Sequence, residues 1–599
     1  MSNTGKHIAR AAILLMVTVI IARILGYGRE VAMYTIFGPN YITDAYRAAF
    51  SIPDFLYILL VGGALSSAFI PVFSACVATN REDEGWKSAS IVFNYTMIFL
   101  VILIVFAYVY TRPLVLLLVP GLPAQYIDLA VTLTHIMFIQ TFFMALNGFA
   151  MGILNSYNHF ASPAIGSLVY NLFIILIGVA LVKQLGIAAF SYGVVIGAIL
   201  NFAVQIPALR KVGVKYTFSF DYRDKGFRQI MILMIPVLAG LGVVQFNLFV
   251  TQHLSSGLGA GTISALNLAQ KIMNLPVGIF AVSIATAIFP TMTALTARGE
   301  LEMFKRSSSL GLRAIFLVTI PASLGLMAIG EPLIKLLFQQ GEFTSAMATV
   351  TNEALFFYCF GLFAYSSIQL LNRSFYALKD TLTPVIVAAI TIGCNIFLSI
   401  NLSAGPMGYK GLALAYSLAG ILNLVLLLSI LRLKVGKLGG NKIVLSFIIS
   451  TGASLLMYGV VRETMNYLMG TLGLAFKLNL LISVSTGIII GALFYAVLIY
   501  LFKLEESELV LNMIRKKQRP SKSFSIVIIN SKIILYKPSH HYRLSNHSLP
   551  WIINIYVQNH TMDHNPYPIK LLLDFYLQLI MVDQIHIFHM ETEPYPYLQ

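Results

Sequence analysis

From about residue 9 to residue 502 the sequence is a succession of apolar runs, each roughly 20 residues long, separated by short polar connections. A run of that length crosses the hydrocarbon core of a bilayer as a helix, and only helices or closed barrels satisfy every backbone hydrogen bond there. With 58% hydrophobic and 11% charged residues, the chain lacks the polar surface a water-soluble fold of this size requires. The reading is therefore an all-α membrane protein of about fourteen transmembrane helices. Their approximate bounds are 9–36, 44–77, 90–110, 127–154, 161–182, 187–209, 229–253, 263–293, 311–330, 349–377, 383–402, 409–431, 442–461 and 478–502. The opening run lacks a small-residue cleavage site, so it reads as a retained helix.

The net charge of +16 does not point to nucleic acid, because the basic residues fall in short clusters between apolar runs. Counted over alternate connections, 24 Lys and Arg lie on one side and six on the other. That bias places both ends of the helical body in the cytoplasm, with an even number of spans. Cys76, Cys359 and Cys394 are widely spaced in apolar segments, which supports neither a disulfide framework nor a metal site.

The chain also resembles itself at a shift of about 219 to 223 residues: Pro53 pairs with Pro276, Ala68-Phe-Ile-Pro71 with Ala287-Ile-Phe-Pro290, Pro113 with Pro332, and Pro163 with Pro384. An even number of spans per repeat makes the halves parallel, as in transporters that rock two lobes about a central cavity. The expected organisation is an N-lobe over 1–215, a C-lobe over 216–437 and a two-helix appendage over 438–517. Residues 518–599 lack Gly and Ala and hold seven of the eleven histidines without ligand spacing, so they read as an unstructured or non-native extension.

No phosphate loop, zinc-protease signature or nucleophile elbow occurs, so no catalytic residue is expected and the chain is read as no enzyme. The informative residues are ionisable groups within spans, which cost several kcal/mol at bilayer depth unless they face water or a partner. Arg23 and Arg29 lie in the first span, six residues and about 9 Å apart along the helix. Arg47 and Lys271 add two more positive charges. With few acids at the same depth, this set points to an anionic substrate, and Arg suits phosphate through its two-pronged fork. The competing reading is that Arg29 pairs with Glu30 or Asp44 and that these cations only snorkel.

Ala22-Arg-Ile-Leu-Gly-Tyr-Gly-Arg29, Thr43-Asp-Ala-Tyr46, Ile52-Pro-Asp54, Gly62-Gly-Ala-Leu-Ser-Ser-Ala-Phe-Ile-Pro71, Phe338-Gln-Gln-Gly-Glu-Phe343 and Phe375-Tyr-Ala-Leu-Lys-Asp-Thr381 resemble the MurJ (MviN) family of lipid II flippases, in the MOP exporter superfamily, over roughly residues 8–515. The resemblance implies two parallel six-helix lobes plus two C-terminal helices whose groove takes a polyprenyl tail. It implies lipid II, undecaprenyl-pyrophosphoryl disaccharide pentapeptide, as substrate, with membrane lipids and possible cell-wall synthesis proteins as partners. Arg23, Arg29, Lys271 and Asp44 match substrate-binding positions, with Lys271 standing where the family has an arginine, and with Tyr57 and Ile58 where some members have another. Sodium ligands proposed for some members include acids where this chain has Thr251 and Ser399, with Asn395 retained, so the match counts against sodium coupling and leaves the membrane potential as the other source of drive; no other cofactor and no resident metal is implied. The alternatives are a flippase for other polyprenyl-pyrophosphate-linked oligosaccharides, a MATE-like multidrug antiporter, and a scaffold without transport.

Overall fold

The computed structural model describes residues 3–62, 68–502, 525–529 and 532–536. It falls into two compact units, Met1–Leu511 and Asn512–Gln599. Among its described residues the first is built of helices and short connections. In chain order its helices are α1 (Asn3–Phe37), α2 (Tyr41–Tyr57), α3 (Ile70–Ala78), α4 (Glu82–Val109), α5 (Thr111–Leu118), α6 (Ala124–Ser156), α7 (Ala161–Leu185), α8 (Ala188–Val212) and α9 (Lys225–Ser256). There follow α10 (Thr262–Pro276), α11 (Val282–Ala297), α12 (Leu301–Phe338), α13 (Ser345–Cys359), α14 (Leu362–Ala377), α15 (Leu382–Ala404), α16 (Tyr409–Val435), α17 (Gly440–Thr471) and α18 (Phe476–Phe502).

Among the described residues, eleven helical stretches are long and apolar enough to cross a membrane, and α13 with α14, bent by 47°, makes a twelfth. With α1 and the broken passage α2–α3, the order is compatible with fourteen spans. Many large apolar side chains on α4, α9, α15, α17 and α18 point outward, Phe106, Ile232, Phe397, Ile448 and Leu493 among them. In lipid that is the expected arrangement, since hydrocarbon is no worse a solvent for them than the core.

Two features depart from the sequence expectation. Thr111–Leu118 forms a short helix where a loop was expected, and α12 runs well beyond the expected 311–330, taking Lys305 and Arg306 into a helix instead of a connection. Polar first turns hid that extension from a hydropathy reading. In the other unit the strands β1 (Ser525–Ile529) and β2 (Lys532–Tyr536) pair antiparallel, Ser525 opposite Tyr536 and Ile529 opposite Lys532. Their β-branched runs favour a ladder, so these ten residues form regular structure within the stretch read as an unstructured or non-native extension. The rest of 518–599, with its histidines, and Gly63–Ser67 of the glycine motif lie outside the described residues.

The repeat has a structural counterpart. A wide π-helical turn follows α2 at Ile58–Gly62, and another joins α10 to α11 at Val277–Ala281, 219 positions later. Pro53 precedes the first by five residues and Pro276 immediately precedes the second, and π turns of this kind are recurrent at functional sites. Elsewhere small residues permit close packing. A Cβ on Gly197 of α8 would stand 2.8 Å from the Tyr170 carbonyl of α7, and one on Gly193 would stand 3.0 Å from Ile174, so these glycines let the two helices touch backbone to backbone. In the appendage, Met457 and Val461 of α17 pack with Val484 and Ile499 of α18 and with Leu317 and Ile329 of α12.

Candidate functional site

The start of α2 is fixed by its own sequence. Asn40 Oδ1 accepts from the amides of Ile42 (2.9 Å) and Thr43 (3.2 Å), and Thr43 Oγ1 accepts from the Asn40 amide at 2.9 Å, a reciprocal capping box. The next residue, Asp44, is 1% exposed and turns towards α10. Its Oδ2 accepts from the Gly261 amide at 2.7 Å and its Oδ1 from the Ser264 amide at 2.8 Å. A carboxylate at a helix N-terminus satisfies otherwise orphaned donors and meets the positive end of the dipole. Around it Ser264 Oγ donates to Thr43 Oγ1 (3.1 Å), and Tyr34 Oη donates to the Ser264 carbonyl (3.2 Å). The Glu342 amide donates to the Thr35 carbonyl at 2.9 Å. These bonds stitch α1 and α2 to α10 and to the connection after α12. Asp44 therefore does not face the cavity expected for a substrate ligand; both its oxygens are committed to backbone.

Beneath this stitching lies a cavity of about 490 Å³, lined by residues of α1, α2, α6, α7, α9, α10 and α13. Arg29, Arg47 and Lys271 line it, together with Asp54, Gln140, Tyr170, Gln252 and Gln270. The three cations converge on one residue. Glu30, 2% exposed, accepts from Lys271 Nζ at 2.6 Å and from Arg29 Nη2 at 3.2 Å on Oε1, and from Arg47 Nη2 on Oε2. Tyr27 Oη donates to the Lys271 carbonyl at 2.9 Å, tying α1 to α10 at the same level. With Asp54 included, the charges at the cavity are three positive against two negative, a smaller excess than the sequence suggested, because Glu30 and Asp54 are brought to the same place.

The other expected residues divide. Arg23 is exposed, outside the set that lines the cavity, and its guanidinium lies over Gly278 in the wide turn, where a Cβ would come within 2.9 Å of Nη1. The two helix-1 arginines are thus separated. Thr251 lines the cavity, and its Oγ1 donates to the Asn247 carbonyl at 3.0 Å. Asn395 and Ser399 are buried behind it on α15: Asn395 Nδ2 donates to Asn247 Oδ1 at 2.7 Å, and Ser399 Oγ to Asn395 Oδ1 at 3.5 Å. The four side chains form one neutral cluster across α9 and α15, with no carboxylate. Among the described residues no group of three His, Cys, Asp or Glu is placed to hold a metal. Sequence reasoning did not include Gln140, Tyr170 or Gln270, and it read Asp54 only as part of a motif; an acid one residue after a proline inside a span was the available signal.

A polytopic helical protein with a net-cationic cavity among its spans has the architecture of a membrane transporter. The chain belongs to the family described as lipid II flippase MurJ, whose sequence profile matches residues 33–483. That stretch contains Asp44, Arg47, Thr251, Lys271, Asn395 and Ser399 and begins after Arg23 and Arg29. The lipid II flippase MurJ of Burkholderia cenocepacia is 30% identical over 423 residues, 69% of this chain and 81% of that protein. The probable lipid II flippase MurJ of Vibrio cholerae is 30% identical over 436 residues, 71% of this chain and 83% of that one. A solved structure of lipid II flippase MurJ in an inward closed conformation superposes with a TM-score of 0.69 at 29% identity, covering 82% of this chain and 99% of that one. An inward-facing MATE family multidrug transporter of the MOP superfamily, at 14% identity and a TM-score of 0.58 over 70% of this chain and 94% of its own, shares the fold alone.

Proposed function

We propose that this chain carries lipid II from the cytoplasmic to the outer leaflet of a bacterial inner membrane by alternating access, with its N-terminus in the cytoplasm. The observation that carries the reading is the convergence of Arg29, Arg47 and Lys271 in one cavity within the span, an arrangement suited to a pyrophosphate. In this reading the Asp44 stitching closes the end that the charge count places outside. The lobes 1–215 and 216–437 rock about the cavity, the helices of 438–517 hold the polyprenyl tail, and 518–599 is dispensable. Arg23 meets the head group on its way in from the cytoplasmic end of α1, and Arg29 with Lys271 receives it. The neutral Asn247–Thr251–Asn395–Ser399 cluster offers an incoming sodium ion no charge, which favours drive by the membrane potential.

The test is complementation of a strain depleted of its lipid II flippase, paired with flipping of lipid II in proteoliposomes. Wild type and a truncation after Lys517 should both sustain growth, and Arg23→Ala and Arg29→Ala should not, at equal membrane abundance. Flipping of other polyprenyl-pyrophosphate oligosaccharides without lipid II would move the substrate assignment to that class. Wild-type growth of the Arg29 variant would overturn the role of the cavity.

A further inference from the structure

Arg47 is the one cation of the cavity to which the resemblance assigns no task. Its hydrogen bonds among the described residues all leave from Nη2, to Glu30 Oε2 and, at 3.4 Å, to Tyr34 Oη, while its Cζ stands 5.7 Å from the centre of the Tyr34 ring. Its Nε is buried with no partner among the described residues, although the side chain lines the cavity and is only 11% exposed. A guanidinium carries five N–H donors in a rigid fork, and a buried charged donor left unpaired costs more than a neutral one. The edge of Arg47 is thus short of an acceptor. Glu30 has the opposite imbalance: two oxygens serve three cations from α1, α2 and α10. A carboxylate and a phosphate offer a guanidinium the same pair of coplanar oxygens, so one can stand where the other will bind. Beside Arg29, Lys271 supplies only a point charge and Tyr57 none, so Arg47 is the second guanidinium fork at this cavity.

We propose that Arg47 is a phosphate ligand of this cavity and Glu30 its internal stand-in. The Glu30 carboxylate holds Arg47 and Lys271 convergent while the cavity is empty, and it yields their donors to a pyrophosphate anion when one enters. The inference rests on the reading that the cavity receives a pyrophosphate lipid. It makes affinity a competition: the entering anion must displace a resident one, and on departure the resident one returns, which speeds release.

The experiment uses the full chain in lipid nanodiscs, titrated with undecaprenyl pyrophosphate and read by native mass spectrometry, with a thermal melt of every variant. Glu30→Gln should tighten binding severalfold and lengthen the bound lifetime. Arg47→Ala should weaken binding about tenfold, the equivalent of roughly 1.4 kcal/mol and of one charge-assisted contact, with Arg47→Lys between. Because Arg47→Ala leaves Glu30 less compensated and could harm folding, the decisive comparison is Glu30→Gln with and without Arg47→Ala. A tenfold loss in that background supports a ligand. Equal affinity of the two would mean that Arg47 serves only to balance Glu30, and would overturn the assignment. A Glu30→Gln protein that binds no tighter than wild type would overturn the stand-in role. If wild type itself ignores the pyrophosphate lipid, the functional reading fails and this inference with it; if wild type binds and only the variants misbehave, the failure is confined to Arg47 and Glu30.

Discussion

Replacing Asp44 by Asn removes one of two oxygens that accept backbone donors and turns a carboxylate into an amide of nearly the same shape. In the native arrangement the Gly261 and Ser264 amides each donate to a separate oxygen, at 2.7 and 2.8 Å. Asparagine can keep one of these and presents an NH2 group to the other, so one buried amide loses its acceptor and the survivor becomes a neutral bond. A hydrogen bond to a charged group contributes about 1.5–3 kcal/mol and an orphaned buried donor costs about 1–3 kcal/mol. The loss for Asp44→Asn is therefore on the order of 3 kcal/mol, specific to the state in which α2 meets α10. If the other conformation lacks the contact, its population relative to this one rises by about two powers of ten. The assay is labelling of Gln340→Cys, beside the stitching, by a membrane-impermeant maleimide in cells, with Cys76, Cys359 and Cys394 replaced. Faster labelling in Asp44→Asn is expected, together with a lower Tm in detergent. Unchanged labelling and Tm would refute the idea that this carboxylate closes the cavity.

Gly261→Ala attacks the same junction from the other side: φ is +77° and a Cβ would stand 2.3 Å from the Pro39 carbonyl oxygen, so a loss of about 2 kcal/mol or more is expected in a thermal melt, and a neutral result would deny the close approach. At Lys271, transport in proteoliposomes should survive Lys271→Arg and fail in Lys271→Ala, with Lys271→Glu the worst because it places a second carboxylate beside Glu30; full activity of the alanine variant would remove the residue from the site. Between α14 and α15, burial raises the Asp380 carboxyl, but hydrogen bonds from Lys434 and Thr383 outweigh it and hold it at about 2. A carboxyl lowered by folding contributes stability above its unfolded value of about 3.9 and loses it as pH falls through the folded one, so the Tm gap between wild type and Asp380→Asn should close from about pH 4 to pH 2. A gap that persists at pH 2 would show that the charge is not its source.

Much of the fold was legible because a membrane makes hydropathy do most of the specification. The apolar windows gave passages close to those observed, and the repeat reappears as two π turns 219 positions apart. Where the polar ends of helices run beyond the apolar window, as in the first turns of α12, that signal stops. The site was legible in kind but not in arrangement. Arg29 and Lys271 stand out as charges in apolar runs, yet nothing in their spacing says that Lys271 meets Glu30 across 241 positions of sequence. Arg23 and Arg29 look like a pair on one helix, whereas the fold sends only Arg29 into the cavity. Asp44 sits in a motif that reads equally well as ligand or cap, and only the position of the α10 amides decides between them.

The charge at the cavity follows from what a carrier must do at both ends of its cycle. Three uncompensated cations at bilayer depth would cost several kcal/mol each in the empty protein and would hold a pyrophosphate too firmly to let it go. Three cations facing two acids keep the empty cavity nearly balanced while leaving a surplus for an anion. Binding then draws on rearrangement of existing pairs instead of on raw attraction, and release restores those pairs. Glu30 is the residue on which that exchange turns, because it is shared among α1, α2 and α10, the same three helices that Asp44 and Tyr34 tie together above it. Loading the cavity and loosening the stitching thus act on one set of helices, so an anion that draws Arg47 and Lys271 away from Glu30 also relaxes the packing of α1 and α2 against α10.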